Sequence, residues 1–195
     1  MAPNESVFIV YPAEKVLESN EKDSHRLQKE QKDRVKESLK LPLEVGEYAV
    51  TFMANGKTLT REELFDWSKD TDEQIRYYSG TAVYKTTFRW KNKLKKDQQV
   101  YLNLGTVCNL ATVRVNGVDC GTVWTAPYRA NISTALQKGT NELEIEVTNT
   151  WANALKGADE NKAPFDGIWT NAKYRKQENT LLPAGLLGPL SLTID

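Results

Sequence analysis

The sequence has 195 residues, of which 39% are hydrophobic and 27% charged, and its 26 basic and 26 acidic residues cancel to zero net charge. This length suffices for one substantial core but is short for a barrel enzyme of about 250 residues. The balanced charge provides no overall field to attract nucleic acid or an anionic membrane, so we expect neither as a partner. The first residues lack the basic region and long apolar run of a signal peptide or membrane span.

The first forty residues divide into a short apolar run and a charged segment. Residues 7–10 (VFIV) predict a strand that ends before Pro12. Residues 14–40 are mostly charged, with apolar residues too sparse for a helical stripe. This segment is either an exposed helix held by charge pairs or a linker, and we favour a partly helical form. We therefore assign residues 1–40 to a strand and a charged linker or helix that belong to an upstream region. Residues 41–195 are assigned to one domain.

From position 41 onward, apolar side chains alternate with polar ones in short runs separated by turns. The runs cover residues 48–52, 82–88, 100–104, 111–115, 141–149 and 190–194. In residues 141–149, glutamates alternate with Leu143, Ile145 and Val147, which indicates a strand with one wet face in an antiparallel sheet. Asn116-Gly117 supplies the two positive φ angles of a tight hairpin turn. We therefore predict an all-β sandwich whose loops collect at its ends.

Two short helical elements are predicted within this domain. Thr60 and Glu63 have the spacing of a capping box, which predicts a helix through Trp67. Residues 133–136 predict a single helical turn that ends at Gly139. Residues 150–188 are predicted to form one long connection, and a connection of that length is usually functional or docked on a neighbour.

Several motifs in the second half resemble a known family. They are YYSGTAVYKTTF at 77–88, A-x-V-x-V-N-G-x-x-x-G-x-x-W-x-x-P-Y at 111–128 and G-x-N-x-L-x-I-x-V-x-N at 139–149. This order resembles the galactose-binding-like jelly roll attached to glycoside hydrolases, including the sugar-binding module of the family 2 enzymes. Residues 150–153 (TWAN), 157–159 and 181–189 (LLPAGLLGP) resemble more narrowly the C-terminal β-domain of family 106 α-L-rhamnosidases.

The resemblance implies a jelly-roll β-sandwich that is not itself catalytic. The acid and base residues of that family lie on a separate barrel domain, which is not among these 195 residues. The implied partners are the catalytic domain of the parent enzyme and a carbohydrate, for which a rhamnose-containing plant polysaccharide is the expected source. The parent enzymes are secreted or periplasmic, so we expect a periplasmic or extracellular location. A structural Ca²⁺ is implied by fold analogy only, and no other cofactor is expected.

The residue inventory argues against autonomous catalysis. The chain has one histidine, His25, and it lies in the charged segment outside the predicted domain, which argues against a Ser-His-Asp triad, a Cys-His pair and a histidine-based metal site. Asp159, Glu160 and Asp166 could supply the two carboxyl groups of a glycosidase, but ordinary solvated loop acids are the more common explanation. Cys108 and Cys120 match neither a metal motif nor a redox motif, and we predict no disulfide.

Six residues that follow predicted strands have side chains suited to sugar recognition. Aromatic faces stack on the C–H side of a pyranose, while amide and guanidinium groups hydrogen-bond its hydroxyls. The candidates are Trp124, Tyr128, Trp151, Asn153, Trp169 and Arg175. For Trp124 and Tyr128 we favour a place in the sandwich core over a ligand contact. Trp151 and Trp169, in the long connection, fit either role equally well.

Three functions are compatible with these observations. The leading hypothesis is a non-catalytic module of a rhamnosidase-like glycoside hydrolase that binds carbohydrate or supports the catalytic domain. A second is that residues 150–188 complete the active site of the missing catalytic barrel. A third is a protein–protein interaction module, which predicts an exposed apolar patch on one sheet face.

Overall fold

The computed structural model describes residues 39–95, 97–171 and 180–195. The strands in chain order are β1 (Leu39–Pro42), β2 (Tyr48–Phe52), β3 (Lys57–Arg61), β4 (Thr81–Trp90), β5 (Val100–Asn103), β6 (Thr106–Cys108), β7 (Leu110–Val115), β8 (Val118–Val123), β9 (Arg129–Asn131), β10 (Gly139–Thr148), β11 (Gly185–Gly188) and β12 (Ser191–Ile194). The helices are α1 (Glu73–Arg76) and α2 (Ala152–Asp159), and Trp67–Lys69 form a 3-10 turn. The strand and charged segment predicted before residue 39 lie outside the described residues.

Two antiparallel sheets and a short ribbon make up the fold. The larger sheet has the strand order β3-β2-β4-β10-β7-β8, and the smaller has β1-β12-β5-β9. The ribbon pairs β11 with β6. Each of these strands pairs with its neighbours in antiparallel fashion, and inward side chains of both sheets share one buried cluster. This arrangement confirms the predicted all-β sandwich.

Strand β10 shows how the alternation in the sequence produces the two layers. Leu143, Ile145 and Val147 are buried, whereas Glu142, Glu144 and Glu146 stay partly or fully exposed. Because successive side chains of a strand point to opposite faces, this pattern gives β10 one buried face and one wet face. Its ladders to β4 and β7 cover ten and six residue pairs, respectively. The prediction for this strand is confirmed.

An aromatic cluster occupies one end of the core. The ring of Phe52 lies 4.8 Å from that of Tyr78 and 5.2 Å from that of Trp67, both edge to face. The Trp67 indole Nε1 donates a hydrogen bond of 2.6 Å to the Tyr84 hydroxyl. Burial of Tyr84 raises the pKa of its hydroxyl far above the ordinary value, so the phenol stays neutral and can accept this bond.

Residues 181–188, LLPAGLLG, cross directly over this cluster. The main chain of Ala184 donates to Asp66 Oδ1 (3.0 Å) and accepts from Trp67 N (2.9 Å). Gly185 has φ +102°, and a Cβ there would lie 2.5 Å from the Trp67 Nε1. Only glycine combines this backbone conformation with so close an approach. The motif therefore serves the packing of the core.

The structure corrects the predicted helix that begins at Thr60. Thr60 pairs with Ala49 within β3, so the segment is the edge strand of the larger sheet. The helical turn begins later, where Asp66 accepts a hydrogen bond from Ser68 N. A capping-box spacing is a local signal, and cross-strand pairing with β2 outweighs it here.

Other local predictions have mixed outcomes. Asn116 and Gly117 have φ angles of +51° and +77°, which confirms the hairpin. Leu136 N donates to Ile132 O, so a turn does form near 133–136, but Gly139 starts β10 and does not cap that turn. Residues 150–188 contain α2 and β11 and are therefore not one long connection.

Cys108 and Cys120 are free thiols, as predicted. None of the helices described has the length and apolarity needed to cross a membrane.

Candidate functional site

Two of the candidate residues, Trp124 and Trp151, follow strands that end at the same end of the larger sheet. There β10 and β8 end while β4 and β7 begin, as shown by the facing pairs Thr148↔Thr81, Thr148↔Leu110 and Val123↔Ala111. We call this end of the larger sheet the tip. Trp124 directly follows β8, and Trp151 lies three residues after β10. The antiparallel order of the strands thus brings two tryptophans distant in sequence to the same end of the sandwich.

Three of the five tryptophans are exposed to solvent. The exposed fractions are 75% for Trp124, 55% for Trp151 and 78% for Trp169. Tryptophan is on average a strongly buried residue, so large exposed indoles point to a surface that meets something else. The preference for Trp124 in the core was wrong. The neighbouring Val123 packs against the core, and strand alternation directs the next side chain outward.

Tyr128 differs from these tryptophans. It is half-buried and packs against the core cluster, in line with the core role that we favoured. Its main-chain carbonyl accepts a hydrogen bond from Leu104 N (2.9 Å), which ties the segment after β8 to the smaller sheet. Tyr128 therefore offers little of its ring to a ligand, whereas Trp124, four residues earlier, offers most of its indole.

Trp151 is fixed in place at the start of α2. Its ring lies 6.1 Å from that of Phe165 at an interplanar angle of 74°, and Phe165 lies 6.1 Å from Tyr78 of the core cluster. The carbonyl of Trp151 accepts the first helical hydrogen bond, from Leu155 N (3.0 Å). One edge of the indole is thus held by the protein while more than half of its surface remains exposed.

Asn153 has a structural role, and the prediction that it contacts sugar is corrected. Its side chain is 3% exposed, donates to Leu182 O and accepts from Leu182 N, both at 2.8 Å. Both functions of the amide are therefore used inside the protein. The prediction placed Asn153 in an open loop, but it belongs to α2, whose buried face includes Ala154 and Gly157.

Helix α2 packs tightly on the segment that follows α1. Ala154 N donates to Ser79 Oγ (3.0 Å), and a Cβ on Gly157 would lie 2.8 Å from Tyr77 Cβ. The Tyr77 hydroxyl donates to Glu160 Oε2 (2.7 Å), and this bond to a carboxylate is the main reason that the pKa of Tyr77 is raised. Glu160, one of the acids considered for catalysis, is thus engaged by a tyrosine.

The remaining candidates include one exposed tryptophan and two exposed acids. Trp169 lies in the stretch after α2 with most of its ring exposed. Asp159 and Asp166 have exposed side chains, as expected of solvated acids. Arg175 lies outside the described residues. No group of three His, Cys, Asp or Glu residues suited to a metal occurs in residues 39–95, 97–171 and 180–195, so we assign no residues to the implied Ca²⁺.

A charged cluster on the outer face of the larger sheet was not predicted. Glu144 lies between Lys85 (3.0 Å) and Arg114 (3.1 Å), and Arg114 also pairs with Glu146. The hydrogen bond from Lys85 is the largest reason that the pKa of Glu144 is lowered. Lys85, Arg114 and Glu144 border a shallow concavity of about 470 Å³, whose lining contains no tryptophan. The alternating glutamates of β10 were the available signal, but their basic partners come from β4 and β7.

Comparisons with known proteins agree with this fold. Residues 22–181 match the sequence profile described as "Glycosyl hydrolase 2 galactose-binding domain-like". A rhamnosidase from Novosphingobium sp. PP1Y superimposes with a TM-score of 0.75 and 36% sequence identity, over 82% of this chain and 15% of that chain. A curated protein of Formosa agariphila, "Putative beta-glucuronidase", is 34% identical over 176 residues, which cover 76% of this chain and 15% of its own length.

More distant structures share the fold alone. The β-glucuronidase of Ruminococcus gnavus has a TM-score of 0.53 and 18% identity, over 80% of this chain and 28% of its own. The chain thus spans about 15% of the length of both the curated relative and the rhamnosidase. What it resembles is one domain within proteins several times longer.

Proposed function

The chain belongs to the glycosyl hydrolase 2 galactose-binding domain-like family, and we propose that it is a non-catalytic, carbohydrate-binding module of a larger glycoside hydrolase. The observation that carries the proposal is that two of the five tryptophans are buried and three are exposed. Trp67 and Trp90 are 0% and 5% exposed, whereas Trp124, Trp151 and Trp169 are at least 55% exposed. The exposed group lies outside the packed core and is available to a ligand.

Exposed indoles suit a sugar ligand for a physical reason. An indole presents a flat apolar face, which matches the C–H face of a pyranose, and its N–H remains free to donate a hydrogen bond. Stacking removes apolar surface of both partners from water, at about 25 cal/mol for each Å². Such a site needs no carboxylate pair, in keeping with the engagement of Glu160 by Tyr77.

The proposal extends to the parent enzyme. We propose a family 106 α-L-rhamnosidase-like parent that acts in the periplasm or outside the cell on rhamnose-containing plant polysaccharide. The support is the 36% identity to a protein named as a rhamnosidase, together with the motif LLPAGLLGP at 181–189. The structure explains that motif as the segment that packs over Trp67.

Calorimetric titration of the 195-residue chain with rhamnose-containing oligosaccharides, both neutral and pectic, tests the binding function. We expect saturable binding that Trp151→Ala or Trp169→Ala weakens by about tenfold, equivalent to 1.4 kcal/mol. Val118→Ala is the matched control, because Val118 is an exposed apolar residue (47%) at the hairpin end of β8, away from the tip. Absence of binding to every oligosaccharide would reject the binding role and leave the module as a scaffold.

The position of Trp151 favours a second candidate function, in which residues 150–188 complete the substrate pocket of the parent. Trp151 is braced by Phe165, and α2 is tied to Leu182 through Asn153, so an exposed indole is held on a rigid base. Trp151→Ala in the full-length enzyme should then raise KM or lower kcat without loss of stability. Unchanged kinetics would reject this candidate and leave the carbohydrate-binding proposal intact.

A further inference from the structure

Five outward-facing residues form a row across the tip of the larger sheet, which we call the platform. From β2 to β8 they are Met53, Thr81, Thr148, Leu110 and Trp124. Met53 N donates to Thr81 O (3.0 Å), Thr81 pairs with Thr148, and Thr148 pairs with Leu110. Trp124 comes next, because it lies one position beyond the pairing of β7 with β8. Strands lie about 4.8 Å apart, so the row is roughly 19 Å long.

The platform combines apolar groups with hydroxyls. Met53, Leu110 and Trp124 are exposed by 60%, 36% and 75%. Between them the hydroxyls of Thr81 and Thr148 are 2.8 Å apart. One hydroxyl proton serves that bond, so the second hydroxyl can still donate to a ligand, and lone pairs remain to accept. Apolar contacts interrupted by hydroxyls match a sugar surface better than the contiguous apolar centre of a protein interface.

The charge near the platform selects the kind of glycan. The next outward row toward the middle of the sheet contains Thr51, Val83, Glu146, Thr112 and Thr122. Its one charged residue is Glu146, which pairs with Arg114, and Arg114 also binds Glu144. A carboxylate on the platform would therefore meet Glu146, while the guanidinium of Arg114 beside it is already engaged by two carboxylates. An uncharged ligand avoids this repulsion.

We infer that the platform binds an extended, neutral glycan chain that lies across the strands. A sugar ring stacks on Trp124, following rings contact Leu110 and Met53, and ring hydroxyls bond to Thr81 and Thr148. The inference rests on the proposed carbohydrate-binding function and adds the ligand class, an internal stretch of an uncharged polysaccharide. A row of this length favours a chain of several sugars over a single one, because each contact contributes only modestly.

Titration of the 195-residue chain with three probes tests the inference. The probes are a neutral rhamnan hexasaccharide, an oligogalacturonate hexasaccharide and free rhamnose. We expect the neutral hexasaccharide to bind at least tenfold more tightly than either of the others. Trp124→Ala and Met53→Ala should each weaken that binding, by about tenfold for the indole and a few-fold for the thioether. Met53 is 60% exposed in a turn, so its variant tests the platform even if the Trp124 variant misfolds.

Val118→Lys is the control, since it adds a charge to β8 outside the platform and should leave affinity unchanged. If Trp151→Ala and Trp169→Ala abolish binding while both platform variants bind normally, the proposed function stands and this inference is wrong. If the unaltered chain binds none of the three probes, the inference is wrong. If the unaltered chain also fails to bind the pectic oligosaccharides, the proposed function is rejected as well. Concentration-dependent dimerisation that Trp124→Ala abolishes would make the platform a contact between copies and overturn the inference.

Discussion

The interior around Trp67 and the tip around Trp124 use the same aromatic residue in opposite environments. Trp67 is fully buried, contacts Phe52 and Tyr78 edge to face and donates its N–H to Tyr84. Trp124 exposes three quarters of its surface. Composition alone treats the two as equal, but the fold buries one and exposes the other. Under the proposed function, the first serves stability and the second serves recognition. Substitutions in the interior should therefore change the free energy of unfolding, and substitutions at the tip should change binding.

Gly185→Ala should give the largest loss of stability. The new Cβ would lie 2.5 Å from the Trp67 Nε1, and the backbone has φ +102°. Overpacking and backbone strain together should cost about 3 kcal/mol, measured as the shift in urea unfolding. Gly121→Ala is the control, because Gly121 has a similar φ of +97° but open space around it, and should lose about 1 kcal/mol. Equal losses in both variants would show that packing on Trp67 is unimportant.

Tyr84→Phe should come next. It removes the oxygen that accepts from Trp67 Nε1 (2.6 Å) and from Leu186 N (3.3 Å), and leaves both donors buried without a partner. The cost should be about 2 kcal/mol. Tyr101→Phe removes an exposed hydroxyl that bonds Gln99 and should change stability by less than about 0.5 kcal/mol. A neutral Tyr84→Phe would contradict the importance of this buried network.

Asn153→Ala should lower stability by about 1 to 2 kcal/mol without changing glycan affinity. The substitution breaks both hydrogen bonds to the main chain of Leu182, which join α2 to the segment over the core. Thermal unfolding and calorimetric titration of the same sample measure the two effects. The exposed Asn92→Ala serves as the control. A variant with unchanged stability but lost glycan binding would return Asn153 to the set of ligand contacts.

Glu144→Gln should have the smallest effect, and it should depend on pH. The pKa of Glu144 is lowered in the folded state, so its carboxylate stabilises the fold above the unfolded pKa of about 4.3. This contribution is lost as pH falls through the folded pKa. The variant should therefore be less stable than the unaltered chain by at most about 1 kcal/mol at pH 7, with no difference near pH 2. Glu142→Gln, on the same face, is the control and should leave the free energy of unfolding at pH 7 unchanged.

The strands and their layers followed from local sequence because burial imposes a two-residue period. β2, β4, β5, β10 and β12 all lie where apolar and polar residues alternate. The Asn116-Gly117 hairpin was also predictable, since few residue pairs adopt two positive φ angles. Both signals act within a few residues, and a single sequence shows them directly.

The features that were missed depend on pairing between distant segments. Thr60 enters β3 through its partner Ala49, and Asn153 turns inward because α2 packs on Ser79 and Leu182. Sequence identified Trp124 as a candidate but not its exposure, which follows from its position beyond Val123 on an edge strand. The platform itself comes from the register of five strands, and no local pattern contains it.

The most direct test of the division between interior and tip is a two-dimensional NMR spectrum of the five indole N–H groups during glycan titration. We predict that neutral rhamnan hexasaccharide shifts the Trp124 signal most, with smaller shifts at Trp151 and Trp169. The signals of Trp67 and Trp90 should stay in place, since both rings are buried. Five unchanged signals at saturating glycan, or shifts confined to the two buried tryptophans, would contradict this prediction.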